Sequence, residues 1–199
     1  DFVFEEGDRV FLTASPKELE NFFRHLGLFK AKASSVMIVG ASKMSYYLAA
    51  ELTEMGMRLK IIDINEERCQ EMSERLPKAL MIVGDGTDSD LLNEEGIDEM
   101  DAFVALTGLD ETNIMLSMYA NRQNVGKVVA KINRQSFADF VASEGMVDTV
   151  VSAGTVTAEM ILQYIRAMQN VQGSKIKTLH RIVEGRVEAL EFGVPENLA

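Results

Sequence analysis

The sequence contains almost none of the residues that build disulfide frameworks and zinc clusters. Its 199 residues include one cysteine, Cys69, and two isolated histidines, His25 and His180. A single cysteine excludes an internal disulfide, and these three side chains do not have the spacing of a zinc site. The acidic stretch 85–101 lacks the spacing of an EF-hand loop, so we interpret it as a solvated face and predict no metal site.

Positive charge is scarce as well. The chain has 20 Lys and Arg residues against 31 Asp and Glu residues, which gives a net charge of −11. Such a surface repels phosphate backbones, so we predict no nucleic-acid partner. No apolar run approaches the roughly 20 residues that a membrane-spanning helix needs, and we find no signal-peptide pattern. We therefore expect a cytoplasmic protein without direct membrane insertion.

Short apolar runs of strand type recur at similar intervals along the chain. A helical pattern fills most of the gaps between these runs, as in a series of βα units. The strands are almost continuously apolar, which is typical of a parallel sheet covered by helices on both faces. The sequence therefore predicts a doubly wound, mainly parallel Rossmann-type α/β sheet with partial smaller subdomains on either side. The strand-like runs begin near Val36, Leu59, Leu80, Phe103, Val128 and Val150.

The flanking residues suggest a piece cut from a longer chain. Residues 1–27 are assigned to the end of a preceding small α/β subdomain, with a strand over 9–14 and a helix that a capping box at Ser15 and Glu18 opens. Residues 28–35 are assigned to a linker, 36–154 to the Rossmann domain and 155–172 to a crossover or dimer helix. Residues 173–199 would begin a second small subdomain, with a hairpin around Glu184-Gly185.

Glycine is scarce where a dinucleotide-binding loop needs it most. After the first strand, Gly40, Ser42 and Ser45 occupy the three glycine positions of a G-x-G-x-x-G fingerprint. Asp63 ends the second strand, where an acid accepts hydrogen bonds from the adenosine ribose and disfavours a 2′-phosphate. The structural alternative is a turn glycine and a solvated strand end. If the loop binds a nucleotide, we expect it to hold the phosphates loosely.

A series of motifs gives a specific resemblance. The segments I-I-D-I-N at 61–65, V-G-D-G-T at 83–87, 96–113, V-V-A-K-I-N at 128–133 and E-G-M-V-D-T-V-V-S at 144–152 resemble the RCK or KTN family, the regulatory domains of TrkA-type potassium uptake proteins. The resemblance covers about residues 33–172. Members of this family carry two such modules in tandem, and the present Rossmann domain resembles the second.

The resemblance implies a sensor and not an enzyme. It predicts a nucleotide-sensing regulatory subunit of a potassium uptake transporter, located at the inner face of the cell membrane through a membrane transporter subunit. The implied ligand is NAD(H) or an adenine nucleotide (ATP, ADP or AMP), bound without turnover and without catalytic residues. The implied cofactor-binding residues are Gly40, Ala41, Ser42, Lys43, Met44, Asp63, Ile64, Gly84, Asp85, Gly86, Thr107, Gly108, Asp110, Asn113 and Lys131.

Two other classes of function are compatible with the residues alone. An NAD-dependent oxidoreductase would need a proton donor, and no tyrosine stands four residues before a lysine. A degenerate Rossmann assembly scaffold without a ligand is the second class, since the segments 114–120 and 155–170 have more apolar residues than one helix face requires. We expect a homodimer or higher oligomer formed through the last of these helices.

Overall fold

The computed structural model describes residues 3, 10, 12–27, 33–169, 176–182 and 187–192. The chain divides into two compact units. One unit is Ala33–Glu159, and the other contains the described residues on either side of it.

The larger unit is built on one six-stranded sheet. Its strand order is β3-β2-β1-β4-β5-β6, and every neighbouring pair is parallel. The predicted Rossmann-type sheet is thus confirmed, and its order reverses between β1 and β4. The strands are β1 (Ser35–Val39), β2 (Arg58–Asp63), β3 (Ala79–Val83), β4 (Ala102–Ala105), β5 (Lys127–Lys131) and β6 (Thr149–Val151).

Helices connect the strands, and several of their ends follow from local chemistry. Asn65 opens α3 by accepting the N–H of Arg68 at 2.9 Å, and α3 ends before Pro77. Gly56, with φ of 81°, follows the end of α2. The helices of this part of the chain are α2 (Lys43–Glu54), α3 (Glu66–Arg75), α4 (Ser89–Glu94), α5 (Asp110–Arg122), α6 (Gln135–Ser143) and α7 (Ala153–Gln169), with α1 (Pro16–His25) before them.

Both faces of the sheet are covered. Successive residues of β1 belong to different clusters of buried side chains: Met37 packs with Phe103 on one face, and Ile38 packs with Val104 on the other. All residues of β1 are buried. A central strand of this kind carries no outward polar position, which explains its continuous apolar sequence.

The amino end of the β1–β4 pair is fixed by one carboxylate. Asp101 Oδ2 accepts the N–H groups of Ser34 and Ser35 at 2.7 and 3.0 Å and their hydroxyl groups at 2.8 and 3.0 Å. These hydrogen bonds, those of Ser34 foremost, lower the pKa of Asp101 to about 2. The contact joins the start of β1 to the residue before β4.

The flanking segments contain the predicted local elements where they are described. The capping box of Ser15 and Glu18 is present at the start of α1. Strands β7 (Ile176–Ile182) and β8 (Val187–Phe192) pair antiparallel, as the predicted hairpin requires. The turn at 184–185, residues 9 and 11 of the predicted strand 9–14, and residues 28–32 and 170–172 lie outside the described residues. The predicted strand is wrong at residues 10 and 12–14, which are described and are not in a strand. None of the helices in the described ranges is long and apolar enough to cross a membrane.

Candidate functional site

A cleft of about 410 Å³ opens at the carboxyl edge of the sheet, where the strand order reverses. Ligands of open α/β sheets bind at such reversal points. The strand ends and loops that form the cleft come from β1 to β5. From the predicted set, the residues that line it are Gly40, Ala41, Ser42, Asp63, Ile64, Asp85, Gly86, Thr107, Gly108 and Lys131.

Gly40 is required by the packing of two backbones. Its φ is 107°, and a Cβ atom there would lie 2.7 Å from the carbonyl oxygen of Leu106, in the segment that follows β4. A side chain at this position would therefore meet both backbone strain and a steric clash. The glycine brings the loop after β1 against the loop after β4, whether or not a ligand is bound.

The two serines at the other glycine positions close the loop on itself. Ser42 is the N-cap of α2, and its hydroxyl oxygen accepts the N–H of Ser45 at 3.2 Å. Ser45 Oγ accepts the N–H of Ser42 at 3.3 Å, and its hydroxyl donates to the carbonyl of Gly40. The structure shows no acceptor for the N–H groups of Lys43 and Met44 within the described part of the chain. These two donors are the part of the helix N-terminus left for an anion.

Asp63 connects β2 to the glycine loop. Its side chain is buried, with Oδ2 accepting the N–H of Ala41 at 2.6 Å and Oδ1 accepting the N–H of Asn65 at 2.8 Å. A carboxylate oxygen has more than one acceptor direction, so these bonds leave capacity for a ligand hydroxyl. Asp63 thus holds the loop and lies on the cleft wall.

Asp85 is exposed at the end of β3. Its Oδ1 accepts the N–H of Thr87 at 2.9 Å and the hydroxyl of Thr87 at 2.7 Å. These two hydrogen bonds, the backbone one first, hold the pKa of Asp85 below its ordinary value. The carboxylate is therefore ionised at neutral pH and turned into a fixed orientation by Thr87.

A buried amide shapes the wall that follows β4. Asn113 Oδ1 accepts the N–H and the hydroxyl of Thr107 at 2.9 and 2.7 Å. Its Nδ2 donates to the carbonyl of Lys131 at 2.8 Å and to that of Thr107 at 3.3 Å. Asn113 is completely buried and does not line the cleft. It fixes the backbone of two residues that do.

Asp110 faces away from the cleft toward the start of α6. It accepts the N–H groups of Asn133 and Arg134 at 3.0 and 2.9 Å, and Arg134 Nε lies 3.3 Å away. Burial raises the pKa of Asp110, but the hydrogen bonds from Asn133 and Arg134 outweigh it and the pKa is lowered. Asp110 on α5 thus binds the backbone N–H of Arg134, the N-cap residue of α6, which has no side-chain cap of its own.

The remaining predicted residues also lie outside the cleft. Met44 and Gly84 do not line it, and Lys43 lines a neighbouring cavity between α2 and α3. Seven residues that line the cleft were not in the predicted set. Six of them belong to predicted strands or to motifs noted in the sequence, whereas Arg68 stands within α3 and no pattern pointed to it. The missed residues are Val39, Ile62, Arg68, Thr87, Leu106, Leu109 and Thr112.

The TrkA-N domain model matches residues 36–153, which is the span of the sheet and its covering helices. The chain belongs to the TrkA-N domain family. This TrkA-N chain is 33% identical over 189 residues to Trk system potassium uptake protein TrkA of Vibrio alginolyticus, covering 95% of the chain and 40% of that protein. It is 34% identical over 191 residues to the protein of the same name from Halomonas elongata, covering 96% and 40% respectively. The chain therefore spans about 40% of the length of these relatives.

Solved structures share the fold of this TrkA-N chain. The GsuK channel bound to NAD has a TM-score of 0.62 and 21% identity, over 84% of this chain and 30% of that one. The Kef CTD of Shewanella denitrificans in AMP bound form has a TM-score of 0.55 and 17% identity, over 69% of this chain and 83% of that one. At these identities the likeness shows the RCK-type Rossmann fold alone.

Proposed function

We propose that this TrkA-N chain is a nucleotide-sensing regulatory part of a potassium uptake system and binds NAD(H), ATP, ADP or AMP without turnover. The observation that carries the proposal is the cleft at the strand-order reversal, which gathers Gly40, Asp63, Asp85, Thr107 and Lys131. The relatives are Trk system potassium uptake proteins, and the two solved structures are in NAD-bound and AMP-bound forms, which supports this choice of ligand class.

The cleft offers groups that complement both halves of a nucleotide. Asp63 and Asp85 provide carboxylate oxygens for the hydroxyl groups of a ribose and the amino edge of an adenine. The N-terminus of α2 and the ammonium of Lys131 provide positive charge for phosphates. Lysine supplies this charge without the bidentate geometry of arginine. We therefore expect the adenosine half to contribute more to affinity than the phosphate half.

The side chains in the cleft do not suit turnover. Among the described lining residues there is no histidine, cysteine or tyrosine to transfer a proton. Both oxygens of Asp63 accept backbone N–H groups, from Ala41 and Asn65, so this carboxylate holds the loop in place. The proposal is accordingly a binding protein.

A ligand-free assembly scaffold is the second candidate. It is favoured by the reciprocal bonds of Ser42 and Ser45, which satisfy part of the loop without a ligand. It is also compatible with Gly40, whose conformation follows from its contact with Leu106. The two functions differ in one measurable property, the affinity for adenine nucleotides.

Titration calorimetry with NAD(H), ATP, ADP and AMP tests the nucleotide proposal. Asp63→Ala should weaken binding by about 1.5–3 kcal/mol, the usual contribution of a hydrogen bond to a charged group. The exposed acid Asp98 offers a matched control, and Asp98→Ala should leave the affinity unchanged. No binding to wild type at millimolar nucleotide would favour the scaffold, and chemical conversion of the nucleotide during incubation would contradict a sensor.

We propose that α7 mediates assembly into a homodimer or a higher oligomer, whose membrane partner is a potassium transporter subunit. The helix exposes Ile161 and Ile165, with 55% and 45% of their surface accessible, beside the more exposed Tyr164. Changing Ile161 and Ile165 to Glu should give monomers by light scattering, because uncompensated charges would enter an apolar contact. Glu159→Lys is the control, because Glu159 lies two positions before Ile161 and therefore on the opposite side of the helix. A folded double variant that stays dimeric would contradict this interface.

A further inference from the structure

A second cavity, of about 430 Å³, lies beside the cleft between α2 and α3. The start of α2 forms one wall and the exposed side of α3 forms the other. The polar residues and the aromatic residue that line it are Ser42, Lys43, Tyr46, Arg68, Glu71 and Arg75.

This cavity concentrates positive charge in a chain whose net charge is −11. Lys43, Arg68 and Arg75 face one carboxylate, that of Glu71. In the described ranges none of the three cations forms an ion pair, unlike Lys60 with Glu95. The guanidinium of Arg75 lies over the ring of Tyr46 at 4.0 Å, which fixes its position. Cations without a carboxylate partner favour an anionic ligand.

The cavity adjoins the place proposed for the ribose. Ala41, Ser42 and Arg68 line both cavities, while Asp63 at the end of β2 lines the cleft. A ribose that is hydrogen-bonded to Asp63 would therefore have Arg68 and the second cavity beside it. A phosphate on a ribose hydroxyl would extend toward the three cations.

Asp63 repels such a phosphate less than the sequence suggests. The sequence-based expectation that an acid disfavours a 2′-phosphate considered this carboxylate alone. In the structure both of its oxygens accept backbone N–H groups, from Ala41 and Asn65. The cations of the second cavity add further opposing charge, which a sequence pattern could not place there.

We propose that the cavity between α2 and α3 is an anion subsite for a phosphate monoester on the adenosine ribose. A 2′-phosphorylated nucleotide then binds more tightly than the same nucleotide without that phosphate. The inference rests on the proposed function, since the adenosine must occupy the cleft.

Calorimetry on the whole chain tests the subsite with two matched ligand pairs, NADP⁺ against NAD⁺ and adenosine 2′,5′-bisphosphate against 5′-AMP. In each pair the phosphorylated ligand should bind about tenfold more tightly, as one charge-assisted hydrogen bond provides. The double variant Arg68→Gln/Arg75→Gln should abolish this ratio. The double variant Arg58→Gln/Lys127→Gln removes the same charge at the starts of β2 and β5 and should preserve the ratio.

Several results would overturn the subsite. One is that NAD⁺ binds as tightly as NADP⁺ or more tightly. Another is that Arg68→Gln/Arg75→Gln leaves the ratio of the two affinities unchanged. Inorganic phosphate that binds as tightly as the bisphosphate would overturn the link to the ribose. If NAD⁺ and 5′-AMP do not bind, the proposed function fails separately. In that case, bisphosphate binding that the arginine variant abolishes would support the subsite, and absence of bisphosphate binding would overturn it.

Discussion

Helices α2 and α5 both begin at the cleft, but their N-termini are stabilised differently. The reciprocal hydrogen bonds of Ser42 and Ser45 cap α2, and its first turn contains no acid. Helix α5 has no side-chain cap at Leu109 and carries Asp110 and Glu111 in its first turn. Carboxylates there already balance the positive end of the helix dipole, so a ligand phosphate is better accommodated at α2.

The loops before these two helices also differ, in the contacts that hold their shape. The loop before α2 holds its shape through the reciprocal serine bonds, the bond from Ala41 N–H to Asp63 and the close approach of Gly40 to Leu106. The loop before α5 depends on Asn113, which reaches the carbonyl of Lys131 on another strand. If the proposed nucleotide binds, we expect the first loop to limit its affinity, whereas the second loop determines the shape of the cleft.

The largest expected effect comes from a side chain at Gly40. Gly40→Ala should lower the free energy of unfolding by about 2–4 kcal/mol, because backbone strain and overpacking add at this position. Urea denaturation measures the change. A Cβ atom at Gly108, in the second loop, would have no neighbouring atom within 4 Å. Gly108→Ala should therefore be close to neutral, and equal midpoints for the two variants would contradict the packing argument.

The second effect tests the wall formed by the loop before α5. Asn113→Ala should cost about 2–3 kcal/mol of unfolding free energy, since Thr107 N–H and the Lys131 carbonyl lose a buried partner. Asn133→Ala removes an exposed amide whose bond to Asp110 is 3.3 Å long, and it should cost much less. A small change for Asn113→Ala would show that this loop keeps its shape without the buried amide.

A smaller effect concerns the cap of α2 and the affinity for phosphates. Ser42→Gly should tighten a pyrophosphate-containing nucleotide relative to adenosine by about 1 kcal/mol, the low end of an overpacking penalty. The helix itself should lose only a few tenths of a kcal/mol, since glycine is a tolerated N-cap. Calorimetry provides the affinities, with Ser15→Gly at the capping box of α1 as the control. Equal effects on both ligands would mean that Ser42 does not face the phosphates.

The smallest effect is expected at the opposite ends of β1 and β4, away from the cleft. The folded-state pKa of Asp101, about 2, lies below the ordinary value of about 3.9 for an unfolded aspartate. Its contribution to stability is therefore complete above about pH 4 and is lost as the pH falls toward 2. Thermal unfolding at several pH values should show a flatter acid dependence for Asp101→Asn than for wild type or Asp98→Asn. Parallel curves of thermal stability against pH would mean that Asp101 does not contribute to the acid dependence.

Local patterns allowed much of the fold to be predicted. The strands of the sheet begin within a residue of their predicted starts, because each is a short apolar run between turn residues. Ser15 was identifiable as an N-cap because capping is decided by residues three positions apart. Serines at fingerprint glycine positions were visible too, but their mutual hydrogen bonds depend on the backbone of the loop.

The apolar runs and turn residues were enough to predict the succession of strands and helices along the chain and the loops that meet at the carboxyl edge of the sheet. Which side chains in those loops face the cleft depends on tertiary contacts. Asp110 turns toward the N–H groups of Asn133 and Arg134, and Arg68 enters the wall from α3. The physical reason is that periodicity and capping act between near neighbours, whereas these contacts join residues that are far apart in the chain and adjacent only after folding.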